Sequence, residues 1–433
     1  MSMSQHPAPL SAVVARRVFL VLTVTRWFPV GLVIGILTLI ALQRGMSVAQ
    51  LGVIFSAQGF VVLAMELPTG GFADALGRRP VLVASAVVNL ASMGLFLAAR
   101  SFWVFFAALA LQGVFRALDS GPLEAWYVDT AHADDPTVPV EKSLAAAGTV
   151  LGGAIAVGAL ISGGLIAWHP VKAVTAIELP AYIALALGVV HLVAVAVLMK
   201  EPRTHVDATG FHRAVRSAKE APRTVADGIR LLGSSRVLLT LVLVEVFWSV
   251  GMIAFETFHP IRLAELVGGE DRAGAILGPV SAAAWGLFAA GSAAAGLSTR
   301  RIGVAWTAVA ARVLQGAFIV VMGLMGGPVG LVTAFLITYT LHGFAGPAHA
   351  TLLHRQATPT NRATVLSMNS MVAGGTFSLA LLVLGPLAEH TSTALAIIVA
   401  GAFSILGAAL YLPAIRQERS LPEPALEVEP VVA

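Results

Sequence analysis

The stretch "ELPTGGFADALGRRP", from Glu66 to Pro80, ends a long apolar run and decides how the rest of the chain is read. No charged residue occurs from 50 to 65, and then an aspartate and two arginines follow closely on a proline and two glycines. Proline interrupts helical hydrogen bonding and glycine permits a tight turn. The stretch therefore predicts a charged turn, starting near Pro68, between two apolar helices.

The overall composition identifies the solvent of these helices as a lipid bilayer. The chain has 433 residues, of which 57% are hydrophobic and only 12% charged, with a mean hydropathy of +0.86. A soluble domain carries about 25% charged residues. The basic side chains are scattered through short loops, which argues against a nucleic-acid partner. The chain has no cysteine, so disulfides and thiolate metal sites are excluded.

Twelve apolar runs are long enough to cross a membrane as helices, and they predict an all-α integral membrane protein. The runs are Val18–Leu42, Gln50–Phe72, Val81–Ala99, Phe102–Val128, Leu144–Trp168, Val174–Met199, Val237–Phe258, Ala273–Leu297, Ile302–Met325, Val329–Leu353, Ala363–Leu387 and Thr393–Leu412. We number these spans 1 to 12.

One long, polar and basic joint divides the spans into two groups of six. The predicted units are an N-terminal segment 1–17, a six-helix bundle 18–199, a central loop 200–236, a second bundle 237–413 and a tail 414–433. Residues 210–232 of the loop suit either an amphipathic surface helix or a flexible linker. Nineteen of the 27 lysine and arginine residues fall on the side of the two termini and five on the other side, which predicts cytoplasmic termini.

Two pairs of landmarks indicate that the second half repeats the first. Gly70 and Gly77 follow span 2, and Gly296 and Gly303 follow span 8 with the same spacing. The segment "LQGVFRALD" of span 4 corresponds in the same way to "LHGFAGPAH" of span 10. Related halves are common in transporters.

The turn after span 2 resembles the signature of the major facilitator superfamily. The matching residues are Gly70, Asp74, Gly77, Arg78 and Arg79. The resemblance implies two pseudo-symmetric six-helix bundles that alternately expose a site near the bilayer midplane. It also implies a latch on the cytoplasmic side, in which Asp74 faces the N-terminus of span 11, Arg78 bridges Asp74 and Asp129, and Glu66 is a buried partner.

Three further segments, "ELPTGGFADALGRR", "LDSGPLEAWYVDT" and "RATVLSMNSM", resemble twelve-span bacterial drug:proton antiporters. This resemblance implies proton-coupled efflux of hydrophobic or amphiphilic compounds, including antibiotics, across the bacterial inner membrane. Span 5 departs from that pattern, since it has the expected glycines without a Gly-Pro pair.

Charged side chains within spans 1 and 4 are candidates for proton coupling, because a charge at the bilayer centre is costly. Arg116 and Asp119 share a helix face, and Gln112 lies one turn before them. The antiporter resemblance implies a coupling role for Arg116, and the alternative is an ion pair that only neutralises Asp119. Arg26, beside Trp27, is expected to pair with an acid of span 4, to bind substrate, or to extend to the membrane surface.

In span 7 the residues Glu245, Trp248, Ser249, Met252 and Glu256 follow the spacing of one helix face. An acidic, aromatic face of this kind suits bulky cationic amphiphiles, and it makes Glu245 the leading proton or substrate site of the second half. The alternative is a packing stripe with a satisfied glutamate.

Several polar residues rank lower as site candidates. Glu124 lies near the inner end of span 4 and is included among the coupling residues, and His342 and Asn369 are candidates for the substrate cavity. His191 and Arg312 are expected either to extend to the membrane surface or to pair structurally.

Enzymatic motifs are not found. The chain has no P-loop, zincin helix or serine elbow, so the energy source is predicted to be an ion gradient, with protons favoured over sodium and no cofactor. We expect a monomer with a small-molecule substrate. The rival functions are a specific exporter or facilitator for one natural product, sugar or lipid, and a non-transporting membrane sensor.

Overall fold

A computed structural model of the chain describes residues 10–201, 223 and 225–420, and only the backbone of 67–75 and 363. Every regular element in these ranges is a helix, and up to twelve helical units are long and apolar enough to cross a membrane. The prediction of twelve spans is therefore confirmed if the bent pair in span 1 counts as one span.

The first bundle contains spans 1 to 6. Span 1 is Ala12–Val33 and Ile36–Gln43, span 2 is Val48–Leu76, span 3 is Arg78–Ala98, span 4 is Phe102–Asp119 and Pro122–Asp134, span 5 is Glu141–Trp168, and span 6 is Leu179–Leu198. Span 1 bends by 42° where Gly35 adopts a left-handed conformation.

The second bundle contains spans 7 to 12. Span 7 is Arg236–Ile253, a π-helical turn Ala254–Phe258 and His259–Val267; span 8 is Glu270–Ile302, span 9 is Val304–Leu324, span 10 is Pro328–Gln356, span 11 is Arg362–His390, and span 12 is Thr393–Leu406, a 3-10 turn Gly407–Tyr411 and Leu412–Ser420. Within the central loop, residues 225–234 are helical and Leu232 is buried against this bundle. The earlier part of the proposed amphipathic helix lies outside the described residues.

The turn after span 2 begins later than predicted. The helix continues through Pro68 and ends at Leu76, so the chain reverses at Gly77 instead. Proline is tolerated inside membrane helices because neighbouring groups can satisfy the freed backbone atoms. Span 6 also starts later than predicted, at Leu179, since Pro180 lies at a position where proline favours a helix start.

The repeated landmarks adopt matching conformations. Gly77 and Gly303 have φ angles of 88° and 84°, which only glycine adopts readily. A side chain at Gly113 would overlap the backbone of span 2, and one at Gly343 would overlap the backbone of span 8. Glycine is thus required at equivalent helix crossings in the two bundles.

A carboxylate caps the helix that follows each of these turns. Glu201, just after span 6, accepts hydrogen bonds from the backbone N–H groups of Arg78 and Arg79 at 3.0 and 3.1 Å. Glu418, at the end of span 12, accepts them from Val304 and Ala305 at 3.1 and 2.9 Å. A negative charge at a helix N-terminus is favourable. These equivalent caps therefore connect the end of span 6 to span 3 and the end of span 12 to span 9.

The two bundles meet through spans 2 and 11 and through spans 5 and 8. On the side opposite the termini, which we call the far side, one hydrophobic core includes residues of both bundles. On the side of the termini, the terminal side, each bundle has a separate core of its own. The bundles are therefore joined on the far side and parted on the terminal side.

Polar contacts also join the bundles at the far side. The side-chain amide of Gln43 lies 3.5 Å from a carboxylate oxygen of Asp271, and the backbone N–H of Ala49 donates to Glu389 at 2.8 Å. A further hydrogen bond across the bundles runs from the Ser56 hydroxyl to the carbonyl oxygen of Ser378, at 2.7 Å. These contacts show that the two bundles are closed against each other on the far side.

The contact of spans 5 and 8 generates a prediction about this closure. A methyl group at Gly278 would lie 2.6 Å from both the carbonyl oxygen of Ala159 and the Cα of Gly163. Overpacking of this kind costs about 1–3 kcal/mol, so we expect Gly278→Ala to part the far side. A single cysteine replacing Ser281, in a chain with no native cysteine, should then react roughly tenfold faster with a maleimide added from the far side.

The matched control is Gly286→Ala in the same helix, because a side chain there meets nothing within 4 Å. Labelling should stay at the parent rate in this variant. Equal labelling rates in the two alanine variants would contradict the closure that we describe.

The carboxylate caps generate a second prediction. Loss of a capping acceptor costs about 1 kcal/mol, so Glu201→Ala and Glu418→Ala should each lower the thermal unfolding temperature of the purified protein. Arg419→Ala, one residue from Glu418 and exposed, should leave it unchanged. A loss in Arg419→Ala as large as that in Glu418→Ala would argue against the caps.

Candidate functional site

Two large cavities in the described part of the chain share part of their walls. The vestibule, about 540 Å³, lies within the first bundle and is lined by residues such as Leu82, Glu124 and Leu144. The central cavity, about 500 Å³, lies between the bundles and is lined by both of them. Volumes of this size are typical of small-molecule sites. Arg26, Trp27, Arg116 and His191 line both cavities.

The structure pairs Arg26 with an acid of span 4. Its Nε atom donates to Oδ2 of Asp119 at 2.7 Å, and both side chains are largely buried. The guanidinium also lies 4.8 Å from the ring centre of Trp27 and 4.5 Å from that of Phe115. Arg26 therefore does not extend to the membrane surface, since its charge is satisfied inside the bundle.

Arg116 is placed differently, although it is close in sequence to Asp119. It is exposed to the cavities and makes no hydrogen bond or ion pair with any other residue that the structure describes. The mutual pair of Arg116 and Asp119, one of the two expectations, is replaced by the pair of Asp119 with Arg26. Gln112 also lines the central cavity and accepts a hydrogen bond from the Ser92 hydroxyl at 2.7 Å.

His191 of span 6 belongs to the cavity wall. Its Nδ1 atom lies 2.9 Å from the hydroxyl of Thr25, and its ring reaches both cavities. Its sequence signal is a lone ionisable residue in the middle of an apolar span.

The residues predicted to share one face of span 7 do not all line the same cavity in the structure. Glu245 is buried within the second bundle, where its carboxylate lies 2.9 Å from Nε2 of His349. It is absent from the linings of both cavities. The geometry matches the alternative of a satisfied, buried glutamate, and a proton or substrate role for Glu245 stays a prediction.

His349 connects this glutamate to two more spans. Its Nδ1 atom lies 2.8 Å from the hydroxyl of Tyr411, and Nε2 lies 3.4 Å from the side-chain oxygen of Asn369. Asn369 therefore belongs to a buried polar network and not to the cavity wall. Arg312 is also buried, donates to Gln315 at 3.1 Å and lies over the ring of Trp248.

Glu256, the other acid of span 7, faces the central cavity. It lies in the π-helical turn Ala254–Phe258, which offsets the regular helix register and separates it from the direction of Glu245. The Tyr339 hydroxyl donates to Glu256 at 3.2 Å. Periodicity could not reveal this placement, because a regular helix puts both acids on one face.

The aromatic residues of the second bundle are also divided. His342 lines the central cavity and stacks on Trp248, with ring centres 5.5 Å apart. Trp248 and Met252 stand outside the linings of both cavities, so their assignment to the substrate site stays a prediction. Trp285 and Tyr339, which the sequence analysis missed, take their place.

The predicted latch is only partly described. Arg78 forms an ion pair with Asp129, and Arg79 donates to the carbonyl oxygen of Ala196 at 2.5 Å. Only the backbone is described at Gly70 and Asp74, so the expected contact of the Asp74 side chain with span 11 stays a prediction. Glu66 is half-buried near the end of span 2.

Glu124 lies at the second part of span 4. The helix breaks at Gly121, which has a φ angle of 92°, and restarts at Pro122. Glu124 is in the first turn of the new helix and lines the vestibule. Within the described ranges, no group of three or more histidine, aspartate or glutamate side chains is arranged to hold a metal ion.

The fold is shared with solved transporter structures at low sequence identity. The nucleoside transporter NupG superposes with a TM-score of 0.73 at 12% identity, covering 93% of this chain and 99% of NupG. Tetrameric PepTSo2 gives 0.70 at 11% identity, with 94% and 99% covered. A POT family transporter in complex with 5-aminolevulinic acid gives 0.68 at 12% identity, with 96% and 98% covered.

Sequence comparison adds the family. No curated protein sequence matches the chain significantly. The profile of the Major Facilitator Superfamily matches residues 19–344, which is more than half of the chain. Together with the paired six-helix bundles around a central cavity, this match shows that the chain belongs to the Major Facilitator Superfamily of membrane transporters.

Proposed function

We propose that the protein is a proton-coupled secondary transporter that exports hydrophobic or amphiphilic, drug-like compounds, including antibiotics, by alternating access. The observation that carries this proposal is the Arg26–Asp119 ion pair at the boundary of the two cavities. An arginine partner favours the ionised form of a carboxylate, so a proton that binds the carboxylate weakens the pair. Proton uptake and rearrangement of the cavity wall are thus the same event.

The vestibule supplies the proton route. Asp119 lines the vestibule together with Glu124, so both acids are reached from the terminal side. We assign the described state to the step in which the proton has left Asp119, Arg26 holds the carboxylate, and cargo enters the central cavity. Protonation of Asp119 after the far side opens would release Arg26 and favour return of the empty transporter.

The other predicted coupling residues take supporting roles in this proposal. Arg116 lines the same two cavities as Arg26, and the positive charges of the two arginines repel each other. Glu245 pairs with His349 inside the second bundle, away from both cavities. We therefore place the leading proton site at Asp119 and give the Glu245 pair a role within its bundle.

The proposed function also implies a membrane and an orientation for the protein. We infer a bacterial inner membrane protein with cytoplasmic termini, acting as a monomer without a cofactor. The excess of lysine and arginine on the terminal side supports this orientation. The latch of Gly70, Asp74, Gly77, Arg78, Arg79, Asp129 and Glu66 would then hold the cytoplasmic side shut while the far side is open.

A specific exporter or facilitator of one metabolite is the second candidate. The charged residues Arg116 and Glu256 in the central cavity favour it, because fixed charges discriminate among substrates more than an apolar wall does. The structural neighbours include a nucleoside transporter. A growth-inhibition panel, with and without the expressed protein, separates protection against many compounds from protection against one.

The proton site generates a prediction. With a compound identified by that panel, Asp119→Asn should reduce accumulation driven by a pH gradient in proteoliposomes at least tenfold, because the side chain can no longer exchange a proton. Cargo exchange without a gradient should persist, since the cavity remains.

The matched control is Asp227→Asn, which removes a carboxylate from an exposed pair with Arg230 at the surface. Exposed pairs contribute little, so this variant should transport normally. Full gradient-driven accumulation in Asp119→Asn, or transport by the parent protein that ignores the gradient, would refute the coupling proposal.

A further inference from the structure

The central cavity has two neighbouring arginines, and only one of them is satisfied. Arg26 has a carboxylate partner in Asp119 and two aromatic rings against its guanidinium. Arg116 has no hydrogen bond, ion pair or ring contact with any residue in the described ranges, although it lies deep in the protein. An unpartnered arginine inside a membrane protein is costly, and an anionic ligand would supply the missing partner.

A carboxylate of the opposite bundle faces the same space. Glu256 is exposed to the central cavity, accepts one hydrogen bond from Tyr339, and interacts with the charge of Arg116 across the cavity. A carboxylate has room for about four hydrogen bonds, so most of its capacity is left for a ligand. The π-helical turn that carries Glu256 is a feature often found at functional sites.

The ionisable side chains around this cavity place opposite charges on its two sides. They are Arg26, Arg116 and His191 from the first bundle and Glu256, Tyr339 and His342 from the second. With Arg26 neutralised by Asp119, the first bundle presents Arg116 as a positive pole and the second presents Glu256 as a negative pole. The wall near these poles includes the rings of Trp27, Phe115 and Trp285.

We propose that the cargo is a zwitterionic aromatic compound whose acidic group binds Arg116 and whose amine binds Glu256. This inference rests on the transport function proposed above. The guanidinium suits a carboxylate because it can donate two parallel hydrogen bonds. The aromatic body of the cargo packs on the rings of the wall, which also favour an ammonium group.

The two poles link binding to movement. Arg116 belongs to span 4 of the first bundle and Glu256 to span 7 of the second. A cargo that carries both charges is therefore held by both bundles at once, and it ties the position of one to the other. A purely cationic amphiphile would meet Glu256 but leave Arg116 without a partner, so it gains only half of these contacts.

The test compares ligands that differ only in charge. The compounds are tryptophan, 4-(aminomethyl)benzoic acid and 4′-(aminomethyl)biphenyl-4-carboxylic acid, which place the acid and the amine at three separations. Each is used as the zwitterion, as the methyl ester with only the amine charged, and as the N-acetyl derivative with only the acid charged. Equilibrium binding is measured by calorimetry on the full-length protein in lipid nanodiscs.

At one separation at least, the zwitterion should bind at least tenfold more tightly than either capped form. Arg116→Gln should remove the preference for the acid over its ester and keep the preference for the free amine. Glu256→Gln should do the reverse. Arg100→Gln and Glu141→Gln, which change exposed charges outside the cavity, should keep both preferences.

Three results would overturn the inference: capped forms that bind as tightly as the zwitterion at every separation, preferences that survive both cavity substitutions, or no binding of any zwitterion to thermally stable protein. Because binding is measured without a gradient, failure here is distinct from failure of proton coupling. Suppose that Asp119→Asn loses gradient-driven transport while the parent protein binds the zwitterion and its capped forms equally well. The proposal of proton-coupled transport would then stand, and the zwitterionic cargo would be rejected.

Discussion

A charge inside the hydrocarbon layer needs a partner or water, and the interior of this transporter is arranged around that constraint. Lost hydration costs several kcal/mol unless another group replaces it. Arg26 forms an ion pair with Asp119, and the carboxylate of Glu245 contacts the ring of His349 in a second pair. Arg116 and Glu256 are left facing the central cavity. The paired charges lie within single bundles, whereas Arg116 and Glu256 face a cavity that both bundles line.

The same constraint explains why the bundles must part on one side only. The far side is sealed by a shared apolar core and by glycine contacts, such as Gly278 against Gly163, that bring the helix backbones together. The terminal side keeps separate cores, so water can reach the charges of the vestibule. The closure of the far side therefore depends on close backbone contacts between the bundles, whereas no shared core joins them on the terminal side.

The two halves of the chain match more closely in backbone conformation than in the placement of their charged side chains. Gly77 and Gly303 share one backbone conformation, and Glu201 and Glu418 cap equivalent helices. At the positions of span 4 and span 10 that correspond, however, Asp119 binds an arginine of the cavity and His349 binds a buried glutamate. The scaffold positions therefore share one backbone geometry in both halves, while the polar positions bind different partners in each half.

The sequence by itself determined the membrane class, the twelve spans, the turn after span 2 and the presence of a repeat. Composition, apolar length and glycine spacing are local properties, and a bilayer constrains them directly. The partners of Arg26 and Glu245, the caps by Glu201 and Glu418, and the cavity roles of His191 and Tyr339 were decided only by the tertiary structure. Helix periodicity shows which residues share a face, but not which neighbouring helix that face meets. In span 7 the predicted single helix face is not formed, because a π-helical turn lies between Glu245 and the cavity-facing Glu256. No spacing rule detects such a turn.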